Sequence, residues 1–213
     1  MGVCSIKGRP VGLCSQNLRF ILPHSRLSSA VAMATIRMGL LGVLLCTLVV
    51  NSEVTTQADF DINGVTGKWY LIGFASNSEW FIIRKANMKM GVATFTPNDN
   101  GDLEMAYSSL NPDGTCWRMN HLAQKTDVPG KFTFLSENQE TENDMRVVDV
   151  KYDEYVLIHT IKTQNDSITL LNKLYGRTPD LGQDVLDRFT EFSLDQGILL
   201  ENIAVLPKND DCP

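Results

Sequence analysis

The chain has 213 residues, with 19 Lys and Arg against 25 Asp and Glu, and the excess of negative charge lies after residue 57. Residues 1–57 hold five of the basic side chains and one of the acidic ones, so residues 58–213 carry a net charge of −10. A domain this acidic is a poor partner for nucleic acids and anionic membranes, and its length suits a single core, so we expect a monomer.

The first 57 residues have the features of a leader. Residues 38–50 form a run of 13 residues without a charge, preceded by Arg37. Such a run is short for a membrane span but suits the apolar region of a secretory signal, with a buried core helix as the alternative. We therefore predict a signal peptide over residues 33–57, after a disordered or non-native extension over residues 1–32. The protein is then secreted and extracellular, with no stable membrane insertion after cleavage.

Short runs of β-forming residues follow the leader, separated by turn sequences such as PNDNGD and NPDGT. Alternation is visible within them: Phe132 and Phe134 share one face of their run. Short connections between successive runs favour an all-β, eight-stranded, up-and-down antiparallel barrel over the alternative of a sandwich. The eight predicted strands cover residues 69–74, 90–96, 103–110, 116–124, 131–137, 145–150, 155–161 and 167–175.

One amphipathic helix is predicted after the strands. Its apolar residues recur at helical spacing, and Asp and Glu occupy much of the other side. We expect Thr178 or Asp180 to cap it, Gly197 to end it, and the outside of the barrel to receive its apolar face. That face consists of Leu181, Val185, Leu186, Phe189 and Phe192.

Two cysteines remain after the leader, Cys116 and Cys212. In an oxidising compartment we expect them to form a disulfide bond with each other. The sequence Asn165-Asp166-Ser167 is a glycosylation sequon between two predicted strands, so Asn165 is expected in a surface turn. The sequence contains no HxH, HExxH or carboxylate cluster with the spacing of metal ligands, and we predict neither a metal nor a cofactor.

Three residues next to the first and last predicted strands carry a resemblance to a known family. Gly67 and Trp69 open the first strand, and Arg177 follows the last one. This pairing resembles the lipocalin family, and it implies that Trp69 closes one end of the barrel with Arg177 stacked on its ring. The family's middle motif is only partly present here, in Val150-Lys151-Tyr152.

Within the lipocalins, GKWYLIGFASNSEW and VKYDEY resemble most closely the lipocalin-type prostaglandin-D synthase group, and the α1-microglobulin branch comes second. The resemblance also matches Cys116 and Cys212 to the first group's disulfide. Its enzyme uses a thiolate at the position that falls on Gly91, and the supporting hydroxyl positions fall on Leu71, Ala93 and Tyr107. The reactive thiol of the second branch falls on Ser78. Both thiols are therefore absent from this sequence.

A closed eight-stranded barrel has room for one small ligand. The resemblance therefore implies a carrier of small hydrophobic molecules of the retinoid, fatty acid, bile pigment or steroid type, and not an enzyme. The alternatives are a prostaglandin-D synthase that converts prostaglandin H2 to D2, which Gly91 disfavours, and a protein directed to a cell-surface receptor. Alternation and resemblance predict a ligand-binding wall, each member of which has core filling as its alternative: Trp80, Met90, Ala93, Phe95, Met105, Tyr107, His121, Phe134, Ile158 and Tyr175.

Overall fold

A computed structural model of the protein describes residues 53–136 and 141–213. The extension predicted over residues 1–32, and residues 33–52 of the predicted signal peptide, lie outside the described residues. Within the described part of the chain, no helix is long and apolar enough to cross a membrane.

The described residues form a closed antiparallel barrel, as the sequence predicted. The sheet order is β2-β3-β4-β5-β6-β7-β8-β1-β9, and a further pairing of β1 with β2 closes it. Consecutive strands pair with their neighbours in the chain, which is the up-and-down topology. The strands are β1 (Gly67–Ser76), β2 (Val92–Pro97), β3 (Leu103–Leu110), β4 (Cys116–Lys125), β5 (Lys131–Ser136), β6 (Thr141–Lys151), β7 (Tyr155–Gln164), β8 (Ser167–Gly176) and β9 (Ile203–Val205).

The strand pairing defines two different ends of the barrel. The β2–β3, β4–β5 and β6–β7 connections lie at the end where β1 begins, which we call the closed end. The opposite, open end carries the connection from β1 to β2 and the β7–β8 turn. Asn165 lies in that turn, exposed and with a positive φ of 51°, so the sequon occupies the surface turn expected for it.

The interior of the barrel is apolar at the closed end because alternate residues of every strand point inward. The segment before β1 contributes as well, since Phe60 packs edge-on against Phe132 of β5 with ring centroids 6.1 Å apart. The fully buried members of this interior cluster are Val65, Trp69, Ala93, Phe95, Leu103, Met105, Ala123, Phe132, Met145, Val147, Val156, Ile158 and Tyr175.

Two helices lie outside the strands. Helix α1 (Glu79–Arg84) follows β1 at the open end, and helix α2 (Gln183–Asp195) packs on the outer face of the sheet through Val185 and Phe189. The expectation that Thr178 or Asp180 caps the start of α2 was wrong: its N-cap is Gly182, without a side-chain hydrogen bond. The Thr178 hydroxyl donates instead to the backbone oxygen of Asp180, 2.8 Å away, because both residues belong to a turn that precedes the helix.

A buried polar network anchors α2 to the sheet. Nδ1 of His159 on β7 lies 2.6 Å from Oδ1 of Asn172 on β8. The Asn172 side-chain amide in turn donates to the hydroxyl of Ser193 on α2, at 3.1 Å. Paired polar groups of this kind fix the position of the helix more narrowly than apolar contact does.

The two cysteines expected to pair do form the disulfide Cys116–Cys212, with Cα atoms 5.8 Å apart. The bond attaches the C-terminal segment to the start of β4. Near the N-terminal end of the described residues, Gln57 donates its backbone N–H to the backbone oxygen of Val147, 2.8 Å away. Residues 53–57, which fall within the predicted signal peptide, therefore contact β6.

Candidate functional site

The closed end of the barrel is sealed around Trp69. Its ring is fully buried and its Nε1–H donates to the backbone oxygen of Val65, 2.8 Å away. The guanidinium carbon of Arg177 lies 3.6 Å from the ring centroid, which is a close cation–π contact. Arg177 also donates to the backbone oxygens of Gly64, Thr66, Lys68 and Tyr152. A ligand therefore has to enter from the opposite end.

Five of the predicted wall residues form the floor above this seal. Ala93, Phe95, Met105, Ile158 and Tyr175 all belong to the fully buried interior cluster. The rings of Phe95 and Tyr175 meet edge to face, with centroids 5.6 Å apart. The structure thus packs these five residues together as a filled apolar core beneath the upper barrel.

Three further predicted residues lie higher in the barrel. Tyr107, His121 and Phe134 are partly exposed, although their strands turn them inward. The His121 ring lies 4.8 Å from that of Phe134 and 6.2 Å from that of Tyr107, centroid to centroid. Since inward side chains keep exposed surface only where the interior is not filled, the upper barrel is accessible from the open end.

A lysine that the sequence analysis did not single out also points into this upper region. Lys173 on β8 pairs with Phe74 on β1, and its Nζ lies 5.9 Å from the Phe74 ring centroid. The same Nζ lies 4.7 Å from the ring centroid of Tyr107 on β3. Its two-residue spacing from the inward Tyr175 gave a signal for this placement.

The electrostatics of the upper barrel are set by burial and by mutual repulsion. Burial, and then the charge of Lys162, lower the pKa of Lys173 to about 8. The pKa of Lys162 is also lowered by burial. Burial lowers the pKa of His121 too, with Lys173 and Lys162 adding to the effect. Lys173 therefore keeps most of its positive charge at neutral pH, while His121 is neutral.

Two tyrosine hydroxyls lie between the floor and the lysines. Burial raises the pKa of both Tyr107 and Tyr175, so each stays protonated. The Tyr107 hydroxyl donates to the sulfur of Met105, 3.2 Å away. The Tyr175 hydroxyl is buried beside that of Tyr107, and each of the two hydroxyls affects the pKa of the other.

Two predicted wall residues do not join this interior group. Trp80 lies on α1 and is 50% exposed, because the helix turns Phe81 inward in its place. Met90 precedes β2, which begins at Val92, and its backbone N–H bonds to the Pro207 oxygen. It is buried beside Phe81, where α1 meets the C-terminal segment. Both residues nevertheless lie near Phe74, since the Trp80 ring is 6.4 Å from that of Phe74 and Met90 shares its buried cluster. Their role in ligand binding stays a prediction.

Helix α1 covers part of the open end. The ring of Phe81 stacks on that of Phe74, with centroids 4.7 Å apart. Ile82 and Ile83 on the same helix are 43% and 68% exposed. The helix therefore has one apolar side in contact with the upper barrel and another in solvent.

Gly91 has little room for a side chain. A Cβ atom placed there would lie 2.7 Å from the backbone oxygen of Ser108 and 3.3 Å from Cβ of Ser109. The positions aligned with the synthase group's hydroxyls hold Leu71, Ala93 and Tyr107. Tyr107 is the hydroxyl among them, and its raised pKa keeps it a poor nucleophile at neutral pH.

Replacing Gly91 with cysteine is expected to lower the free energy of unfolding by about 1–3 kcal/mol, because the backbone of β3 must move to admit the new Cβ. Urea unfolding measures this, and Gly91→Ala is the matched control because it adds the same Cβ without the thiol. An alanine variant as stable as the wild type would contradict the steric argument. In an isomerase assay, Gly91→Cys should show at most partial activity.

Comparisons with known proteins are in line with this geometry. The model of the lipocalin / cytosolic fatty-acid binding protein family matches residues 66–210. A "Lipocalin" of Rhinella marina is 38% identical over 170 residues, which cover 80% of this chain and 92% of that protein. A "Prostaglandin-H2 D-isomerase" of Mus musculus is 31% identical over 187 residues, covering 84% and 98% of the two chains.

Two further relatives are binding proteins by name. An "Extracellular fatty acid-binding protein" of Gallus gallus is 27% identical over 180 residues, covering 84% of this chain and 97% of that protein. The solved structure of the siderocalin Ex-FABP, described as functioning through dual ligand specificities, superposes with a TM-score of 0.60 at 27% identity. The match covers 69% of this chain and 96% of that one.

Proposed function

This chain belongs to the lipocalin family, and from that premise we propose that it is a secreted carrier of small lipophilic molecules that end in an acidic group. Fatty acids and retinoic acids are the ligand types that fit best within the wider range of retinoids, bile pigments and steroids. The name of the Gallus gallus relative supports a fatty acid. The disulfide Cys116–Cys212 and the exposed sequon at Asn165 support secretion.

The observation that carries the proposal is the ammonium group of Lys173 in the upper barrel, above an apolar floor. Its Nζ faces the aromatic rings of Phe74 and Tyr107 and forms no ion pair with a carboxylate of the described residues. A ligand carboxylate beside it would supply the missing charge partner.

Apolar contact in the upper barrel supplies the affinity that the head group directs. A long alkyl chain that buries about 300 Å² gains about 7 kcal/mol at 25 cal/mol per Å². Before the costs of ordering the ligand, that gain corresponds to a dissociation constant in the micromolar range. Burial of the chain therefore provides most of the binding energy, and Lys173 selects ligands with an acidic end.

The affinity for a long-chain fatty acid is expected to fall as the pH rises from 7 to 9.5. Lys173, with a pKa of about 8, is mostly protonated at pH 7 and loses its charge through this range. The affinity should fall by up to tenfold per pH unit above 8, until the pKa that Lys173 has in the complex is reached. His121 does not contribute to the decline, because it is already neutral at pH 7.

Fluorescence titration with a fatty acid at several pH values measures this dependence, and retinol is the matched control because it has no charge. Retinol should bind with an affinity that hardly changes with pH. Equal pH profiles for the two ligands would contradict a role for Lys173. Failure of both ligands to bind would contradict the carrier function itself.

Prostaglandin-D synthase activity is the second candidate, favoured by the relative of Mus musculus. The glycine at position 91 argues against it, since the aligned nucleophile of that group is a thiolate. We propose that the protein is not an isomerase. Assay of the purified protein with prostaglandin H2 tests this, and turnover above the spontaneous rate would overturn it.

A further inference from the structure

We propose that Lys173 captures lipophilic aldehydes as a covalent imine inside the barrel. The inference rests on the proposed carrier function, because the aldehyde has to enter the interior before it reacts. It adds a reaction to that function: a ligand of the retinal or alkenal type would be held by a bond and not only by apolar contact.

The surroundings of Lys173 differ from those of the lysines on the outside of the barrel. Lys208 pairs with Asp180 at 2.6 Å, and Lys68 pairs with Asp211. Lys173 instead has two aromatic rings as its neighbours, from Phe74 and Tyr107, and no carboxylate of the described residues within ion-pair distance. A carboxylate partner stabilises the protonated form of a lysine and raises its pKa. Lys173 has no such partner among the described residues.

The reaction needs a neutral amine. With a pKa of about 8, about one in five Lys173 side chains is neutral at pH 7.4, against about one in a thousand for an ordinary lysine. Among the groups facing it, Lys162 repels the protonated form, His121 is neutral and both tyrosine hydroxyls are un-ionised. None of these groups carries a negative charge that would stabilise the protonated form of Lys173.

The chemistry balances without a further reagent. The lone pair of Nζ attacks the aldehyde carbon, and a proton passes from nitrogen to oxygen to give a carbinolamine. Loss of one water molecule then leaves the imine.

The decisive experiment traps the imine in the purified protein. The protein is incubated with one equivalent of all-trans-retinal at pH 7.4, reduced with sodium borohydride, digested and mapped by mass spectrometry. Most of the retinyl group should be on Lys173. Lys173→Arg should lose at least tenfold of the total adduct, and Lys89→Arg, which changes an exposed lysine, should keep it.

Each other outcome overturns a defined part of the argument. A label spread over the exposed lysines of the wild type, or placed mainly on Lys162, would overturn the assignment to Lys173 without relying on any variant. Retinol titration of the wild type separates a failure of the covalent step from a failure of the carrier function. If retinol binds but no adduct forms, the covalent step is wrong and the carrier function stands; if retinol does not bind, the carrier function itself fails.

Discussion

Replacing Lys173 with methionine is expected to weaken the binding of a long-chain fatty acid by about 10- to 100-fold. The variant keeps the unbranched side chain beside Phe74 and Tyr107 but removes the ammonium group that faces them. A hydrogen bond to a charged group contributes about 1.5–3 kcal/mol, and a loss of that size gives the stated change in affinity.

The measurement is a titration of the same variant with a fatty acid and with the alcohol of equal chain length. Binding of the alcohol should change by less than about threefold, since it has no charge for the lysine to recognise. Lys89→Met is the control for a lysine outside the barrel. If the acid and the alcohol lose affinity equally, the lysine acts through packing and the acidic head group is the wrong choice.

Replacing Arg177 with methionine is expected to lower the free energy of unfolding by about 2–4 kcal/mol. The guanidinium stacks on Trp69 and donates to four backbone oxygens at 2.9–3.2 Å. Methionine keeps part of the apolar contact with the ring but leaves those oxygens without a donor, and the less buried ones recover a bond to water. Urea unfolding of the two proteins measures the difference.

Arg177→Lys is the matched variant because it keeps the charge. An ammonium group is compact, so it is expected to reach some of the four oxygens and to recover less than half of the loss. If the lysine variant is as stable as the wild type, the charge alone accounts for the stabilisation. The planar geometry of the guanidinium then contributes nothing, contrary to our interpretation.

Much of the barrel could be predicted from the sequence because its elements are locally specified. Alternation identifies the inward face of β5, and the turn sequences lie between the observed strands, although β6 begins at Thr141 and not at residue 145 as predicted. The contact of Trp69 with Arg177 was predicted from the family resemblance and is confirmed. The pairing of Cys116 with Cys212 is confirmed as well.

The site was harder to predict because its members depend on tertiary context. Trp80 was expected inside, yet the amphipathic turn of α1 places Phe81 there. Met90 lies just before its strand, and so alternation does not apply to it. Lys173 was missed because a lysine is assumed to be exposed, although its spacing from Tyr175 indicates an inward position. The role of the whole wall in binding a ligand stays a prediction.

The contacts of Arg177 impose an order on biosynthesis. Three of the four acceptors, Gly64, Thr66 and Lys68, precede or begin β1, whereas the donor emerges from the ribosome only after the last strand of the barrel. Pairings between such distant parts of a chain are slow to form. A nascent chain stalled before residue 177 therefore leaves its Trp69 indole uncovered, and chaperones would meet it in that state.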